Sequence, residues 1–510
     1  MFRTGRIALT PFIPDIIAKR AALTPGSTAF RDLLPGTSMS YLELDERARR
    51  AAGLMASLGV SAGDRIAILC RNRTEFFELL FACGKLGAIL VPLNWRMPAA
   101  ELLPLVNDAE PAVLLFGRED AATAAKLALS GMQTMALDDD GTNGYSNLRD
   151  QSESFMGRAK WPAAECWYLL YTSGTTGKPK AVIQTYGMAM ANYVNIRQAM
   201  SIGAGDVTLN YLPHFHTAGI NLVALPTLIE GGEVLIMPDF DLDRFVSLLE
   251  EGVLDTFFAV PAVYQQISLH PAFDSMDLSR IRNWACGGAP LPDELLNQYI
   301  VRGARVCNGM GMTETGPTVF IMDPEMVSRK IGSVGKPQLL SSVRIVDSRG
   351  RDVADGESGE LWFAGPGITP GYWRRDDVTA EAFSRDGWLK SGDMGRCDED
   401  GYFYIVGRIK DMFISGGENV YPAEIENVLA AHPDILEAAV IAKPDPKWGE
   451  VGCAYLLPKP SHSVPPDNEV TEYCREHLAP YKIPKFFVPV EDFPRTAAGK
   501  VQKHLLKGSR

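Results

Sequence analysis

The sequence lacks an excess of positive charge, and this absence separates it from one large class of proteins. Its 510 residues include 50 Lys and Arg against 62 Asp and Glu, which gives a formal net charge of −12. A protein that binds nucleic acid non-specifically is normally basic, so the charge disfavours that class. An anionic ligand would have to be attracted by a local site, because the overall field opposes it.

Paired cysteines and long apolar runs are also missing. The eight cysteines are scattered without a CxxC pair, which predicts buried thiols in a reducing compartment rather than a disulfide framework or a zinc site. Pro11 and Pro14 interrupt the N-terminal stretch, and no segment approaches the roughly 20 apolar residues that span a bilayer. We therefore expect a cytoplasmic protein without a transmembrane segment, and peripheral membrane contact stays open.

Short apolar runs alternate with amphipathic stretches along most of the chain. RIAILC (65–70) is typical of a buried strand, TEFFELLFACGKLG (74–87) has helical spacing, and AILVPLN (88–94) returns to strand. The alternation recurs and predicts α/β layers with a mainly parallel sheet. Because 510 residues are too many for one core, two or more domains are expected.

Two later segments depart from this alternation. The glycine-rich segment 356–373 has short apolar bursts, which predict a small antiparallel β unit. Near residue 411 a separate unit begins, with a helix in PAEIENVLAAHP and strands in EAAVIAKP and EVGCAYLLP, and its length suits a small α/β domain. The predicted organisation is an N-terminal domain over 1–407, a hinge at 408–411 and a C-terminal domain over 412–510.

One polar stretch, TSGTTGKPK (172–180), has the composition of an anion-binding loop. Its glycines let successive backbone N–H groups surround an anion, while hydroxyls and lysines add donors and charge. The candidate residues are Thr172, Ser173, Gly174, Thr175, Thr176, Gly177, Lys178 and Lys180. A plain surface loop is the competing interpretation. A Walker A loop is disfavoured, because Gly174 and Gly177 are three apart and Pro179 would disrupt the helix that such a loop opens onto.

Further motifs follow this loop in order along the chain. They are ACGGAP (285–290), NGMGMTETGPT (308–318), SGDMG (391–395), GRIKD (407–411), SGGENVYPAEIE (415–426) and PRTAAGK (494–500). Together with the loop they resemble the adenylate-forming superfamily of acyl-CoA synthetases, luciferases and peptide-synthetase adenylation domains, over essentially the whole chain. The resemblance implies a large adenylation domain, a small mobile C-terminal domain and a two-step ligation. A carboxylate attacks the α-phosphate of ATP and releases pyrophosphate, and a thiol then displaces AMP.

The resemblance implies roles for single residues of these motifs. Glu314 matches the Mg²⁺ carboxylate, which suits a metal that takes few protein oxygens, and Thr313 matches a phosphate contact. Lys500 matches the cation that reaches the carboxylate and the α-phosphate and neutralises the charge that develops there. Besides the candidates in 172–180, the residues expected at ATP or AMP are Gly288, Ala289, Pro290, Asn308, Gly309, Met310, Gly311, Met312, Asp393 and Arg408.

Two residues depart from the family pattern, and other motifs imply the thiol site. Met310 stands where the family usually has a tyrosine that packs on adenine, and Ala181 replaces a glycine at the exit of the loop. Lys410 matches the hinge residue. The residues expected at coenzyme A are Ser415, Gly416, Gly417 and Trp448. A simple hairpin for the glycines and a domain anchor for the tryptophan are the competing interpretations.

The acyl pocket is expected from segments 211–221, 260–264, 287–289 and 310–315. Its predicted residues are His216, Ala218, Gly219, Tyr264, Gly287 and Met312. His216 matches a gate over the pocket and is also counted among the catalytic candidates; a structural histidine is the competing interpretation, and the H-x-H pair lacks the further ligands of a zinc site. These segments contain no Lys or Arg, which disfavours dicarboxylates, and no Asp placed for an α-ammonium group, which disfavours amino acids.

We therefore predict an acid–CoA ligase that uses ATP, Mg²⁺ and coenzyme A, with a medium- or long-chain fatty acid as its substrate. Aryl acids, and transfer to a carrier protein, are the alternatives. The competing classes are a kinase or P-loop NTPase that releases ADP, a non-catalytic scaffold and a luciferase-like oxidase. A homodimer is left open.

Overall fold

The computed structural model describes residues 9–34, 36–139, 141–142, 144–172, 180–496 and 499–506. The strands in these ranges are β1 (Phe12–Pro14), β2 (Thr28–Asp32), β3 (Thr37–Ser40), β4 (Arg65–Leu69), β5 (Ile89–Pro92), β6 (Val113–Phe116), β7 (Gln133–Ala136), β8 (Lys160–Pro162), β9 (Cys166–Thr172), β10 (Lys180–Thr185), β11 (Val207–Asn210), β12 (Glu233–Ile236), β13 (Thr256–Ala259), β14 (Asn283–Cys286), β15 (Val306–Met310), β16 (Phe320–Ile321), β17 (Lys336–Pro337), β18 (Ser342–Val346), β19 (Gly359–Ala364), β20 (Leu389–Cys397), β21 (Phe403–Arg408), β22 (Phe413–Ser415), β23 (Glu418–Val420), β24 (Ile435–Asp445), β25 (Gly449–Pro458) and β26 (Phe486–Pro489).

Helices alternate with the strands through most of the chain. They are α1 (Ile16–Leu23), α2 (Tyr41–Ser57), α3 (Thr74–Leu86), α4 (Ala99–Ala109), α5 (Ala121–Leu127), α6 (Tyr145–Gln151), α7 (Tyr186–Met200), α8 (Ala224–Glu230), α9 (Leu242–Glu250), α10 (Pro261–Ser268), α11 (Asp293–Val301), α12 (Asp376–Ala382), α13 (Pro422–Ala430), α14 (Asp467–His477) and α15 (Lys503–Leu506).

Two large sheets form the N-terminal part of the molecule. One has six strands in the order β10-β9-β5-β4-β6-β7, and the other has nine in the order β17-β16-β15-β14-β13-β11-β12-β2-β3. Pairing is parallel within both sheets except toward their edges, where β10–β9, β15–β16–β17 and β2–β3 pair antiparallel. The predicted α/β fold with a mainly parallel sheet is confirmed.

Helix α3 shows why the sequence folds into these layers. From Phe76 to Leu86 every residue of the helix is buried, because its core cluster joins side chains of both sheets, such as Phe30 of β2 and Ile66 of β4. The rings of Phe30 and Phe77 lie 5.1 Å apart. An apolar surface on all sides of a helix is the pattern expected for one enclosed between layers.

Smaller sheets follow the two large ones. Strands β18 to β21 form a four-stranded antiparallel sheet, which confirms the predicted antiparallel β unit. After a short 3₁₀ turn at Ile409–Asp411, the chain builds a separate sheet, β23-β22-β25-β24, with β26 parallel to β25. The cluster that includes Ile425 of α13 and Val470 of α14 is the core of this C-terminal unit. The boundary at 408–411 stays a prediction.

Two further observations concern membrane-spanning helices and the cysteines. Among the described residues, no helix is both long and apolar enough to cross a membrane. The eight cysteines are free thiols, and six of them are buried.

Candidate active site

Strands β9 and β10 flank the predicted anion-binding loop. Ser173, Gly174, Thr175, Thr176 and Gly177 lie outside the described residues, as do Lys178 and Pro179. At the loop's two ends Thr172 and Lys180 are register partners in an antiparallel pair, and the Thr172 hydroxyl donates to the Lys180 carbonyl at 3.3 Å. The chain therefore leaves the loop as a strand, whereas a Walker A loop opens onto a helix. This argues against the P-loop alternative.

The proposed metal carboxylate lies in a 3₁₀ turn, Thr313–Thr315, shortly after β15. Gln184 Nε2 on β10 donates to the Thr313 carbonyl at 2.8 Å, and the Thr369 amide donates to the Glu314 carbonyl at 2.8 Å. The Tyr372 hydroxyl donates to Glu314 Oε1 at 2.7 Å. Two separate segments of the chain, β10 and residues 369–372, thus hold this turn in place.

Tyr372 is a site residue that the sequence reasoning missed. It lies 58 positions from Glu314 in the chain, in the segment that the sequence assigns only to an antiparallel β unit. No motif spacing joins the two residues, so no local signal could have paired them. Burial, followed by the charge of Glu314, raises the pKa of Tyr372, which keeps its hydroxyl protonated as a donor.

The residues predicted around the adenine lie at the carboxyl ends of β14 and β15, the position where open α/β sheets bind ligands. Position 311 requires a glycine, because a Cβ there would lie 2.0 Å from the Pro317 carbonyl oxygen. Met310 and Met312 are half-buried and pack against the core cluster of the four-stranded sheet. The Asn308 side chain is buried, and its Oδ1 atom has no hydrogen-bond partner among the described residues.

Asp393 and Arg408 face each other across β20 and β21. They are register partners, and Arg408 Nε lies 3.0 Å from Asp393 Oδ1. Burial raises the pKa of Asp393, while the charges of Arg408 and Lys500 oppose this shift. Asp393 Oδ2 is buried without a hydrogen-bond partner in the described part of the chain. A buried carboxylate oxygen with free acceptor capacity fits the two hydroxyl donors of a ribose.

Lys500 comes from the C-terminal unit and reaches this N-terminal site. Burial and then the Arg408 charge lower the pKa of Lys500, while Asp393 and Glu314 act in the opposite direction. A Cβ placed on the preceding Gly499 would lie 3.3 Å from Val260 Cγ2, so the backbone beside Lys500 touches the N-terminal domain. The structure brings Lys500, Glu314, Asp393 and Arg408 to one place.

A second contact holds the two domains in this arrangement. Asn427 Nδ2 on α13 donates to Asp293 Oδ2 at 3.1 Å, and the Asp293 amide, at the start of α11, lies 3.5 Å from Asn427 Oδ1. Lys410 is exposed in the turn that joins the domains. In this conformation Lys500, in the last motif, lies near residues that the sequence predicts for nucleotide binding.

The two histidines of the H-x-H pair occupy different surroundings. His214 is buried between Phe76 and Phe77, and burial lowers its pKa to about 3. His216 is half-buried, and burial, with a contribution from the Lys500 charge, lowers its pKa to about 4. Its Nδ1 accepts from the Ala218 amide at 3.4 Å. Both rings are therefore neutral near pH 7, and the Lys500 charge acts on His216.

The other residues predicted for the acyl pocket have mixed environments. Ala218 and Gly219 begin a π-helical turn, Ala218–Leu222, a feature often found at functional sites. Gly287 is confined, because a Cβ there would lie 3.0 Å from the Gly309 carbonyl oxygen. Tyr264 is completely buried, its hydroxyl donates to the Ala285 carbonyl at 2.9 Å, and its ring packs in the aromatic core. Packing accounts for Tyr264, and its place in the pocket stays a prediction.

The residues predicted for coenzyme A share one face of the C-terminal domain. The Gly416 amide donates to the Trp448 carbonyl at 2.9 Å, and a Cβ on Gly416 would lie 2.8 Å from the Trp448 ring. Contact with Trp448 therefore requires a small residue at position 416. The sequence motif predicts this glycine for a different reason, the passage of a thiol. Gly417 has a φ of +91° and faces open space. Ser415 is buried in β22, and Lys485 Nζ lies 5.5 Å from the Trp448 ring.

Comparison with known proteins agrees with this geometry. The AMP-binding enzyme family matches residues 17–373, and the AMP-binding enzyme C-terminal domain matches residues 424–500. Feruloyl-CoA synthase of an Amycolatopsis species is 40% identical over 491 residues, which are 95% of this chain and 96% of that protein. A long-chain-fatty-acid–CoA ligase of Mycobacterium tuberculosis, FadD13, is 33% identical over 96% of this chain and 97% of its own length.

A solved structure extends the likeness to three dimensions. o-Succinylbenzoate CoA synthetase of Bacillus subtilis, in complex with its acyl-adenylate intermediate, has a TM-score of 0.88 at 32% identity and covers 98% of this chain and 99% of its own. The same enzyme has been solved with ATP and a magnesium ion. The chain thus belongs to the AMP-binding enzyme family and is an AMP-forming acid–CoA ligase that uses ATP, Mg²⁺ and coenzyme A and works through an acyl-adenylate.

Proposed function

We propose that this ligase activates an aryl-substituted carboxylic acid of the feruloyl type. The proposal rests on the 40% identity with a feruloyl-CoA synthase along nearly the whole chain, against 33% for a relative that is a fatty-acid ligase. It replaces the fatty acid that the sequence favoured with the alternative that the sequence kept. The prediction of a neutral-tailed monocarboxylic acid is retained, because the pocket segments contain no Lys or Arg.

Aromatic side chains beside the predicted pocket support this choice. The Tyr211 ring packs on Phe240 and Phe257 with centroids 4.8 and 6.0 Å apart. Tyr211 and Phe257 are buried in the same aromatic core as Tyr264, and Phe240 packs against this core. We infer that the edge of this core faces the acid, where a flat ring can make offset or edge contacts with it.

We infer the following division of work among the site residues. Glu314 holds Mg²⁺, which neutralises charge on the ATP phosphates when it is bound, and Asp393 binds the ribose through the oxygen that Arg408 does not occupy. Lys500 places its cation beside the attacking carboxylate and the α-phosphate during the first half-reaction. In the second, the face that contains Gly417 and Trp448 admits coenzyme A after a rotation at Lys410.

A substrate panel tests the acid. Purified enzyme is supplied with ATP, Mg²⁺ and coenzyme A together with ferulate, 4-coumarate, benzoate, hexanoate or palmitate, and kcat/KM is measured from pyrophosphate release. We expect ferulate or 4-coumarate to exceed palmitate by at least about 10-fold, which corresponds to ~1.4 kcal/mol of transition-state binding. A higher kcat/KM for palmitate or hexanoate would restore the fatty-acid assignment.

A pocket variant makes the test specific to the site. Ala218→Phe should lower kcat/KM for the aryl acids through KM of the acid while KM of ATP stays unchanged, because the added ring occupies the predicted mouth of the pocket. Ala272→Phe, at a half-buried alanine in a loop outside the pocket segments, is the control for the effect of a large side chain on the fold. If both variants act alike, Ala218 does not line the pocket.

A further inference from the structure

The hydrogen bond between Tyr372 and Glu314 joins two parts of the site that are distant in the chain. The hydroxyl donates to Glu314 Oε1 at 2.7 Å; Glu314 is buried, with 8% of its surface exposed, and Tyr372 is half-buried. A hydrogen bond from a neutral donor to a carboxylate in such surroundings is stronger than a neutral pair and directs the carboxylate. The bond uses one acceptor position of Oε1, which leaves the carboxylate further acceptor positions for a cation.

The segment that contains Tyr372 is tied to the strand that leaves the anion-binding loop. The Ile183 amide donates to the Gly371 carbonyl at 3.1 Å, the Trp373 amide donates to the Ala181 carbonyl at 2.9 Å, and Val182 and Tyr372 form a β-bridge. β10 begins at Lys180, directly after the loop. A change in the position of this strand is therefore passed on to the Tyr372 ring.

The same segment also holds the backbone of the metal turn, which is the 3₁₀ turn Thr313–Thr315 that contains Glu314. The Thr369 amide donates to the Glu314 carbonyl, and the Thr369 hydroxyl donates to the Ile183 carbonyl at 2.7 Å. Main chain and side chain of Glu314 are thus both oriented by residues 369–372, and these residues are themselves held by β10. The arrangement is more than a chance contact between two polar side chains, because each end of it is fixed by the backbone.

We propose that Tyr372 is a positioning residue that orients the Glu314 carboxylate for Mg²⁺ and couples it to the strand of the phosphate loop. Tyr372 touches neither the acid nor the α-phosphate in this role, and it acts through Glu314. The inference rests on the proposed assignment of Glu314 to the metal. A carboxylate already held in place loses less conformational freedom when it takes up the ion, so Mg²⁺ should gain more affinity from it.

The test measures equilibrium binding without turnover. The Kd of ATP is determined by calorimetry with the acid and coenzyme A omitted, once with Mg²⁺ and once with a chelator, for the native enzyme and for Tyr372→Phe. The variant keeps the ring and loses only the hydroxyl. We expect the Kd of ATP without Mg²⁺ to stay unchanged, and the tightening produced by Mg²⁺ to fall by about 10- to 150-fold, the range expected for one hydrogen bond to a charged group.

Tyr171→Phe is the matched control. The Tyr171 hydroxyl donates to Asp108 Oδ2, also at 2.7 Å and also partly buried, but outside the metal turn. Its loss should leave the Mg²⁺ effect intact. Urea unfolding of both variants checks the fold, and equal losses of ATP binding with and without Mg²⁺ in Tyr372→Phe would identify a merely structural role and overturn the proposal.

Glu314→Gln separates the two levels of the inference. If this variant binds Mg²⁺ and ATP as the native enzyme does, the assignment of Glu314 to the metal fails. If it loses the Mg²⁺ effect while Tyr372→Phe keeps it, the metal assignment stands and the role of Tyr372 is refuted. If both lose the effect, Tyr372→Phe should add nothing further in the Glu314→Gln background, as expected for two residues that act as one unit.

Discussion

Replacing Lys500 should separate the two half-reactions. In the structure the Lys500 cation lies close enough to Glu314, Asp393 and Arg408 for their charges to act on its pKa. Its backbone carbonyl accepts from the Thr496 amide, and its amide donates to the Thr496 hydroxyl. Lys500→Ala removes the cation and leaves those backbone bonds in place. We expect adenylation to fall by at least ~10²-fold, about 2.7 kcal/mol, the scale of one lost charge partner in a transition state. Thioester formation from a supplied acyl-adenylate and coenzyme A should continue.

The two half-reactions can be assayed independently. Pyrophosphate release from ATP and the acid reports the first, and acyl-CoA formation from synthetic acyl-adenylate reports the second. Because burial lowers the pKa of Lys500 and its charged form is the active one, native adenylation should decline as pH rises, at a lower pH than for an ordinary lysine. The alanine variant should lose this alkaline decline.

Gly417→Leu should give the opposite pattern. In this conformation Gly417 faces open space, so adenylation should be nearly normal, while the added side chain obstructs the thiol after rotation. Leucine is also strained at a φ of +91°, at a cost of about 1–2 kcal/mol. Gly252→Leu, at a φ of +66° and likewise in open space, controls for that strain. If Lys500→Ala and Gly417→Leu lose both half-reactions equally with the fold intact, domain alternation is refuted.

Three further predictions follow from the site. Glu314→Gln should weaken ATP use at low Mg²⁺ and recover only in part at high Mg²⁺; unchanged initial rates across a Mg²⁺ titration would remove Glu314 from the metal. Asp393→Asn should raise KM of ATP at least about 10-fold, the effect of a lost charge-assisted bond, with KM of the acid unaffected, as steady-state kinetics can show. In the folded protein His214 has a pKa of about 3 and stays neutral, whereas in the unfolded chain it takes up a proton as the pH falls below 6.5. The free energy of unfolding should therefore fall by ~2 kcal/mol between pH 6.5 and 5. Urea unfolding should show a smaller fall in His214→Phe, and an equal fall would contradict the buried neutral ring.

Local patterns in the sequence were enough to predict the elements that build the fold. Helix α3 was expected over 74–87 and runs from Thr74 to Leu86, ending at Gly87, whose φ of +80° is the left-handed conformation that favours glycine. The strands around it, and the antiparallel unit expected from segment 356–373, which contains β19, were predicted in the same way. These features depend on hydrophobic periodicity and turn residues, which act between near neighbours in the chain.

Contacts between distant segments decided the remaining features. Tyr372 reaches Glu314 because its segment pairs with β10, and Gly416 is confined by the Trp448 ring. Tyr264 lies in a segment predicted for the pocket, but its ring packs in the aromatic core. Side-chain neighbours of this kind depend on how sheets stack, and a motif read along one segment contains no information about them.

The sequence by itself determined the class of chemistry, because its ordered motifs resemble those of the adenylate-forming superfamily and each motif is contiguous in the chain. Only the tertiary structure decided that Lys500 lies near Asp393 and Glu314 in this conformation, and that the Tyr372 hydroxyl donates to Glu314. The physical reason is that a charge acts over ångströms in space. The residues that share this site come from strands and loops separated by tens to hundreds of positions, and folding alone places them together.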